Sequence, residues 1–302
     1  MKTLVIGAGS DLGVHIDGAK LGPGTLINDI RSFYQGEISE FIQDENIIKS
    51  RNISDRSKNR YEINELNEKI YNEIVSKMKE GYFPMTLGGD HSIAIASALA
   101  DTKINEEVGI IWIDAHTDYN TFETTVTGNI HGLPLAAITG YKCEDLRLFH
   151  RGVTIDPTKC VVVGARSIDD EEKENVKYSG ITVFSTEDIK REGVNSIMQK
   201  AFEIAGNKTR SIHISYDLDV IDPDIAPGVS IPEFDGINKE EAMEICDYII
   251  NNFDKVSSYD IVEFNPLRDE NRKTEQIALN ILAKTLGKIK ELPEKEIEEP
   301  LY

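Results

Sequence analysis

The stretch Gly109-Ile110-Ile111-Trp112-Ile113-Asp114-Ala115-His116-Thr117-Asp118 decides the fold. Its apolar residues are continuous rather than alternating, which marks a strand buried on both faces, as in a parallel sheet. It then passes directly into an Asp-x-His-x-Asp series. Runs of the same kind occur at 3–8, 83–88, 159–164, 211–217 and 257–263, the quoted strand itself covering 107–113. Between them, Ile63, Leu66, Ile70, Ile74 and Met78 recur at spacings of three and four, one face of a helix that Gly81 stops. Further helices are expected at 92–100, 187–205, 239–252 and 273–289. This βαβα order predicts an α/β fold, a three-layer αβα sandwich around a mostly parallel central sheet. No Pro/Ser/Gly-rich linker or internal repeat divides the chain, so residues 1–302 read as a single domain. The polar segment 38–60 receives no assignment. The Glu- and Pro-rich end, from about Lys290 to Tyr302, is expected to be a mobile tail.

Composition narrows the function. The chain carries 33 Lys and Arg against 53 Asp and Glu, a formal charge of −20. So acidic a surface repels phosphate backbones and anionic lipid, which argues against nucleic-acid and membrane partners. The apolar runs are strand-sized, too short to span a bilayer, and the N-terminal stretch reads as a first buried strand rather than a signal peptide. Three widely spaced cysteines, Cys143, Cys160 and Cys246, argue for reduced thiols in a cytoplasm and against a disulfide framework.

In open α/β sheets ligands sit beyond the carboxyl ends of the strands. Four of the strands end in unusual residues: Gly88-Gly89-Asp90-His91-Ser92, Asp114-Ala115-His116-Thr117-Asp118, Asp217-Leu218-Asp219 and Glu263-Phe264-Asn265-Pro266. If these strands are neighbours, Asp114, Asp118, Asp217, Asp219 and Glu263 converge. Two like charges near 4 Å cost about 4 kcal/mol even at an effective dielectric near 20. Either several carboxylates are protonated or cations are bound. Two histidines among four aspartates is a ligand set for divalent metal such as Mn, Fe, Ni or Zn, and two such ions neutralise four carboxylates. Each motif alone has a plainer explanation. Gly-Gly-Asp-His is also a strand-to-helix turn with a capping Asp, Asp217-x-Asp219 a solvated strand end, and His131 a packed histidine or the start of a helix. His15, His150 and His213 have no acidic cluster beside them in sequence and receive no role, while Cys160 and Cys246 read as core.

Together, and in this order and spacing, Gly88-Gly89-Asp90-His91-Ser92, Asp114-Ala115-His116-Thr117-Asp118, Asp217-Leu218-Asp219 with Asp222-Pro223, and Glu263-x-Asn265-Pro266 resemble the four signatures of the ureohydrolase family, most closely its arginase branch. The resemblance runs from Gly22-Pro23 to about Ile289. It implies the arginase-like αβα sandwich, a centre of two Mn2+ ions per subunit, and a homo-oligomer, trimer or hexamer. By that resemblance His91 and Asp118 complete one metal position, His116 and Asp219 the other, and Asp114 and Asp217 bridge them. The segment from Asp118 to Gly132 is similar to the arginase loop in which Asn120, Thr125 and Thr127 would hold a substrate α-carboxylate and His131 would shuttle protons. Gly164 to Glu172 resembles the segment that would present Asp169 and Glu172 to an α-ammonium. The implied reaction is cleavage of the guanidino group of L-arginine to L-ornithine and urea. Asp118 would orient the nucleophile and Glu263 would hold the guanidinium by paired charge-assisted hydrogen bonds. Alternatives within the family are agmatinase, guanidinobutyrase and formimidoylglutamase; a non-catalytic metal-binding subunit is the alternative outside it. Two features depart from the arginase pattern. Ala226-Pro227-Gly228-Val229-Ser230-Ile231-Pro232 puts Ile231 where a threonine is usual, and His15-Ile16-Asp17-Gly18 lacks an arginine often found there.

Overall fold

A computed structural model describes residues 1–50, 52 and 55–292. Eight strands form one sheet: β1 (Lys2–Gly9), β2 (Glu37–Ile42), β3 (Tyr82–Gly88), β4 (Val108–Ile113), β5 (Cys160–Ala165), β6 (Thr182–Ser185), β7 (Ser211–Asp217) and β8 (Val256–Val262). Their order across the sheet is β2-β1-β3-β8-β7-β4-β5-β6, and each pairing between these strands is parallel. The helices are α1 (Gly22–Ile30), α2 (Arg60–Lys79), α3 (Ala94–Asn105), α4 (Pro134–Thr139), α5 (Asp170–Ser179), α6 (Thr186–Glu192), α7 (Val194–Ala205), α8 (Lys239–Asn251) and α9 (Lys273–Glu291).

Alternation along the strands divides the interior into two cores. On β4, Ile111 and Ile113 join Leu26, Met198, Ile245 and Ile281 from α1, α7, α8 and α9. Ile110 and Trp112 turn the other way, toward Ile70, Leu99 and Ile138 of α2, α3 and α4. Burial on both faces is why the central strands are continuously apolar, and why the fold class follows from them. No helix among the described residues is long and apolar enough to cross a membrane. All three cysteines are free and buried.

The structure differs from the sequence expectation at the margins. Segment 187–205 is two helices, because Gly193 adopts φ +83° between α6 and α7 and breaks the run. The unassigned segment 38–60 contains most of β2, an edge strand whose residues are half-exposed or exposed. Helix α9 continues through Lys290 and Glu291, where the tail was expected to begin; the remainder of that expected tail, 293–302, lies outside the described residues.

Register sets the site. Leu87 pairs with Ile261, Asp217 with Val262, and Tyr216 with Ile113, so β3, β8, β7 and β4 end at one level. The chain leaves β3 and returns at β4 with β8 and β7 lying between them, the kind of switch point where open sheets bind ligands. Gly89 just beyond β3 permits the closest approach: a Cβ there would lie 1.9 Å from the Ser10 carbonyl oxygen.

Candidate metal centre and substrate cavity

The four strand ends bring the predicted ligands together. His91 follows β3 at the start of a short 3-10 turn that Asp90 caps by accepting from Ser92 N at 3.0 Å, so the turn explanation holds for Asp90 while His91 faces the acids. Nδ1 of His91 lies 3.1 Å from Asp114 Oδ2, 3.2 Å from Asp118 Oδ2 and 3.1 Å from Asp217 Oδ2. Nδ1 of His116 lies 3.0 Å from Asp219 Oδ2 and 3.4 Å from Asp114 Oδ1. Asp114 therefore directs one oxygen to each histidine. Asp217 directs Oδ2 to His91, while its Oδ1 accepts from Asp219 N at 2.8 Å. Two overlapping groups result, His91–Asp114–Asp118 and Asp114–His116–Asp219, each with its donor atoms within 4.8 Å of one another.

These residues fit divalent metal. One imidazole nitrogen faces three carboxylate oxygens, yet a single N–H cannot serve three acceptors; His91 Nδ1 and Asp118 Oδ2 are buried without a hydrogen-bond partner. Left to protons alone, the cluster is frustrated. Burial, then the charge of Asp114, pushes the Asp118 carboxyl up to about 7. Burial, then Asp219 and Asp114, raises Asp217 well above the carboxylate range. Burial would lower His91, but Asp114, Asp118 and Asp217 outweigh it and hold the imidazole well above its usual value. Asp114 moves down, because hydrogen bonding to His116 and His91 outweighs its burial. Cations in place of those protons relieve the repulsion, and mixed imidazole and carboxylate donors suit first-row divalent ions.

Partners outside the cluster fix its geometry. His91 stacks on Trp112 with ring centroids 4.0 Å apart, and its Nε2 meets Ser215 Oγ at 2.8 Å. Trp112 Nε1 donates to Asp114 Oδ2 at 2.8 Å. Asp118 and Glu263 both adopt positive φ, +48° and +67°. Such backbone is costly for residues other than glycine and is concentrated at functional sites.

A cavity of about 230 Å³ opens onto the cluster. His116, Asp118, Asn120, Thr125, Thr127, His131, Asp169 and Glu172 all line it. Nδ1 of His131 is 2.9 Å from Glu263 Oε1, which also accepts from His91 N at 2.9 Å; Glu263 Oε2 is buried with no partner. Burial would lower the His131 pKa, but the Glu263 charge and hydrogen bond outweigh it and raise it. Glu172 is embedded: it accepts from Thr117 Oγ1, from Tyr119 N at 2.9 Å and from Asn120 Nδ2 at 3.1 Å, and closes the capping box that begins α5 at Asp169. Asn120 Nδ2 also donates to Asp169 Oδ2 at 3.1 Å. Asp169 itself is exposed at the rim.

Sequence reasoning gave no role to His15 or Glu233, which also line the cavity. His15, without acidic neighbours in sequence, lines the cavity with its Nδ1 2.9 Å from Asn129 Nδ2. Glu233 reaches it from the loop after β7 and lies beside Ile231 in the wall. A signal for Glu233 was present: an acid two residues beyond Ile231 on a segment already tied to the site.

An αβα sandwich over a parallel sheet, with two histidines and four aspartates gathered at its strand ends, is an α/β architecture suited to holding divalent metal. Residues 1–287 match the sequence pattern described as the Arginase family. The chain is 35% identical over 233 residues to an arginase of Bacillus caldovelox, covering 77% of this chain and 78% of that one. It is 33% identical over 297 residues to an arginase of Brevibacillus brevis, covering 94% and 97%. The solved structure of the Bacillus caldovelox arginase, native at pH 5.6, superposes with a TM-score of 0.88 at 32% identity, over 95% of this chain and 99% of that one. The chain belongs to the arginase family.

Proposed function

We propose that this protein hydrolyses the guanidino group of L-arginine to L-ornithine and urea, with two Mn2+ ions held by His91, Asp114, His116, Asp118, Asp217 and Asp219. The observation that carries the reading is the meeting, in one cavity, of the ligand cluster and a wall of neutral donors and acids. Asn120, Thr125 and Thr127 suit a carboxylate, and Asp169 an ammonium. Divalent ions, when bound, supply the acidified water that attack on a resonance-stabilised guanidinium needs at neutral pH.

The remaining steps belong to side chains. Asp118 orients the nucleophile from the floor. Glu263, its Oε1 anchored by His91 N and His131, offers the buried Oε2 to a guanidinium N–H. This narrows the expected pair of hydrogen bonds to one open oxygen. As water adds to the guanidinium carbon and the C–N bond to the side chain breaks, the departing nitrogen needs a proton. His131, its Nδ1 held by Glu263 and its pKa raised, supplies one from Nε2 as general acid. Glu172 acts one step back, fixing Asn120 and the backbone of Tyr119 from beneath.

A cytoplasmic location, a single domain and a trimeric or hexameric assembly complete the proposal; sedimentation of the purified chain tests the last. Product release from arginine, agmatine, guanidinobutyrate and formimidoylglutamate, with Mn2+ added, tests the function. Urea from arginine well above the other substrates is expected. Equal or greater turnover of another substrate would overturn the assignment.

A further inference from the structure

His116 presents Nδ1 to Asp219 Oδ2 and Asp114 Oδ1. An imidazole that gives one nitrogen to a cation carries its proton on the other, and the partner of that second nitrogen sets ring orientation and donor strength. The two histidines of the cluster differ here. Nε2 of His91 meets a neutral hydroxyl, Ser215 Oγ, at 2.8 Å in the interior. Nε2 of His116 faces a carboxylate, Glu233 Oε1, at 3.6 Å, a charge contact rather than a hydrogen bond.

The loop bearing Glu233 is fixed. The guanidinium of Arg166 donates from Nη2 to the Glu233 carbonyl at 2.8 Å and to the Asp219 carbonyl at 2.7 Å, and from Nε to the Phe234 carbonyl at 2.9 Å. One side chain thus binds the backbone of Glu233 to the backbone of Asp219. The Glu233 side chain remains 32% exposed and the His116 side chain 23%, so both stand at the cavity wall.

We propose that Glu233 is a positioning residue for the Asp114–His116–Asp219 metal position: its charge holds the proton of His116 on Nε2 and strengthens Nδ1 as a donor, so that this position binds divalent metal more tightly than a neutral partner would allow. The inference rests on the two-metal reading above. Loss of such an outer partner typically costs 10–100-fold in metal affinity. The 3.6 Å separation and partial exposure place the expected effect near the lower end, about 10-fold.

The test titrates Mn2+ into chelator-stripped full chain by calorimetry, for wild type, Glu233→Gln and Glu233→Asp, with circular dichroism of each stripped protein. Glu233→Gln keeps the shape and removes the charge. It should weaken one of two Mn2+ dissociation constants by about 10-fold, leave the other unchanged and leave the stripped spectrum unchanged. Glu233→Asp, which keeps the charge at greater distance, should fall between. Two unchanged dissociation constants in Glu233→Gln would overturn the proposal, and so would equal weakening of both positions. Wild type that binds fewer than two ions would instead remove the two-metal reading, and this inference with it.

Discussion

Stripping divalent metal from the folded chain should lower its melting temperature by about 10 °C and make the remaining stability fall with rising pH. A ligand that binds only the native state adds about 2.7 kcal/mol at a hundredfold excess over Kd, hence about 5 kcal/mol for two positions. For a chain of this size each kcal/mol moves the midpoint by roughly 2 °C. The pH term comes from the cluster itself. Asp118 moves from 3.8 to about 7, and Asp217, His91 and His116 are also raised. Groups raised in the folded state favour folding below their unfolded values and lose that contribution as pH climbs through the folded ones. Asp118 and the acids it titrates with therefore lose their contribution as pH climbs from the ordinary carboxylate range toward neutrality. Asp114, lowered, acts in the opposite sense only under more acid conditions and stays constant across this window. Metal-loaded protein should behave differently, since deprotonated ligands bind ions better. The assay is thermal melting from pH 5 to 8 in Mn2+ and in EDTA, with metal content measured. Identical midpoints after confirmed metal loss, or a gap that does not widen with pH, would refute the reasoning.

His131→Asn should reduce kcat by roughly 10²–10⁴-fold while metal analysis still finds the ions, because His131 touches Glu263 rather than the cluster. Asp217→Ala should instead release metal, seen by atomic absorption after gel filtration, since its Oδ2 faces His91 within the cluster. Arginine should be preferred over agmatine by about 10²–10³ in kcat/KM, below the 10⁴–10⁵ limit for unpaired groups because water can reach the exposed rim at Asp169. Asp169→Ala should narrow that ratio mainly through arginine, and comparable kcat/KM for both substrates in the unmutated protein would point to a different substrate.

Which parts of the molecule were legible in its sequence follows from burial. Central strands such as β4 announce themselves because both faces are covered, leaving no polar residue until the strand ends at Asp114. Edge strands β2 and β6 lie half in solvent, so Glu37–Ile42 and Thr182–Ser185 carry no such run and went unread. The ligand cluster was legible because strand ends concentrate it, although adjacency of β3, β8, β7 and β4 depends on a strand order that no local pattern contains. His15 and Glu233 enter from loops, where spacing carries no information about direction. Asp169 and Glu172 show the deeper limit. Their three-residue spacing is that of a capping box and equally that of a pair of acids facing a cationic ligand. In the fold Glu172 closes the box and at the same time holds Thr117, Tyr119 and Asn120, which lie just beyond His116 in the chain. The start of α5 and the wall of the cavity are therefore one hydrogen-bonded unit. A substitution at Glu172 must disturb helix, loop and cavity wall together, whereas at Asp169, exposed at the rim, it touches the cap of α5 and the hydrogen bond from Asn120.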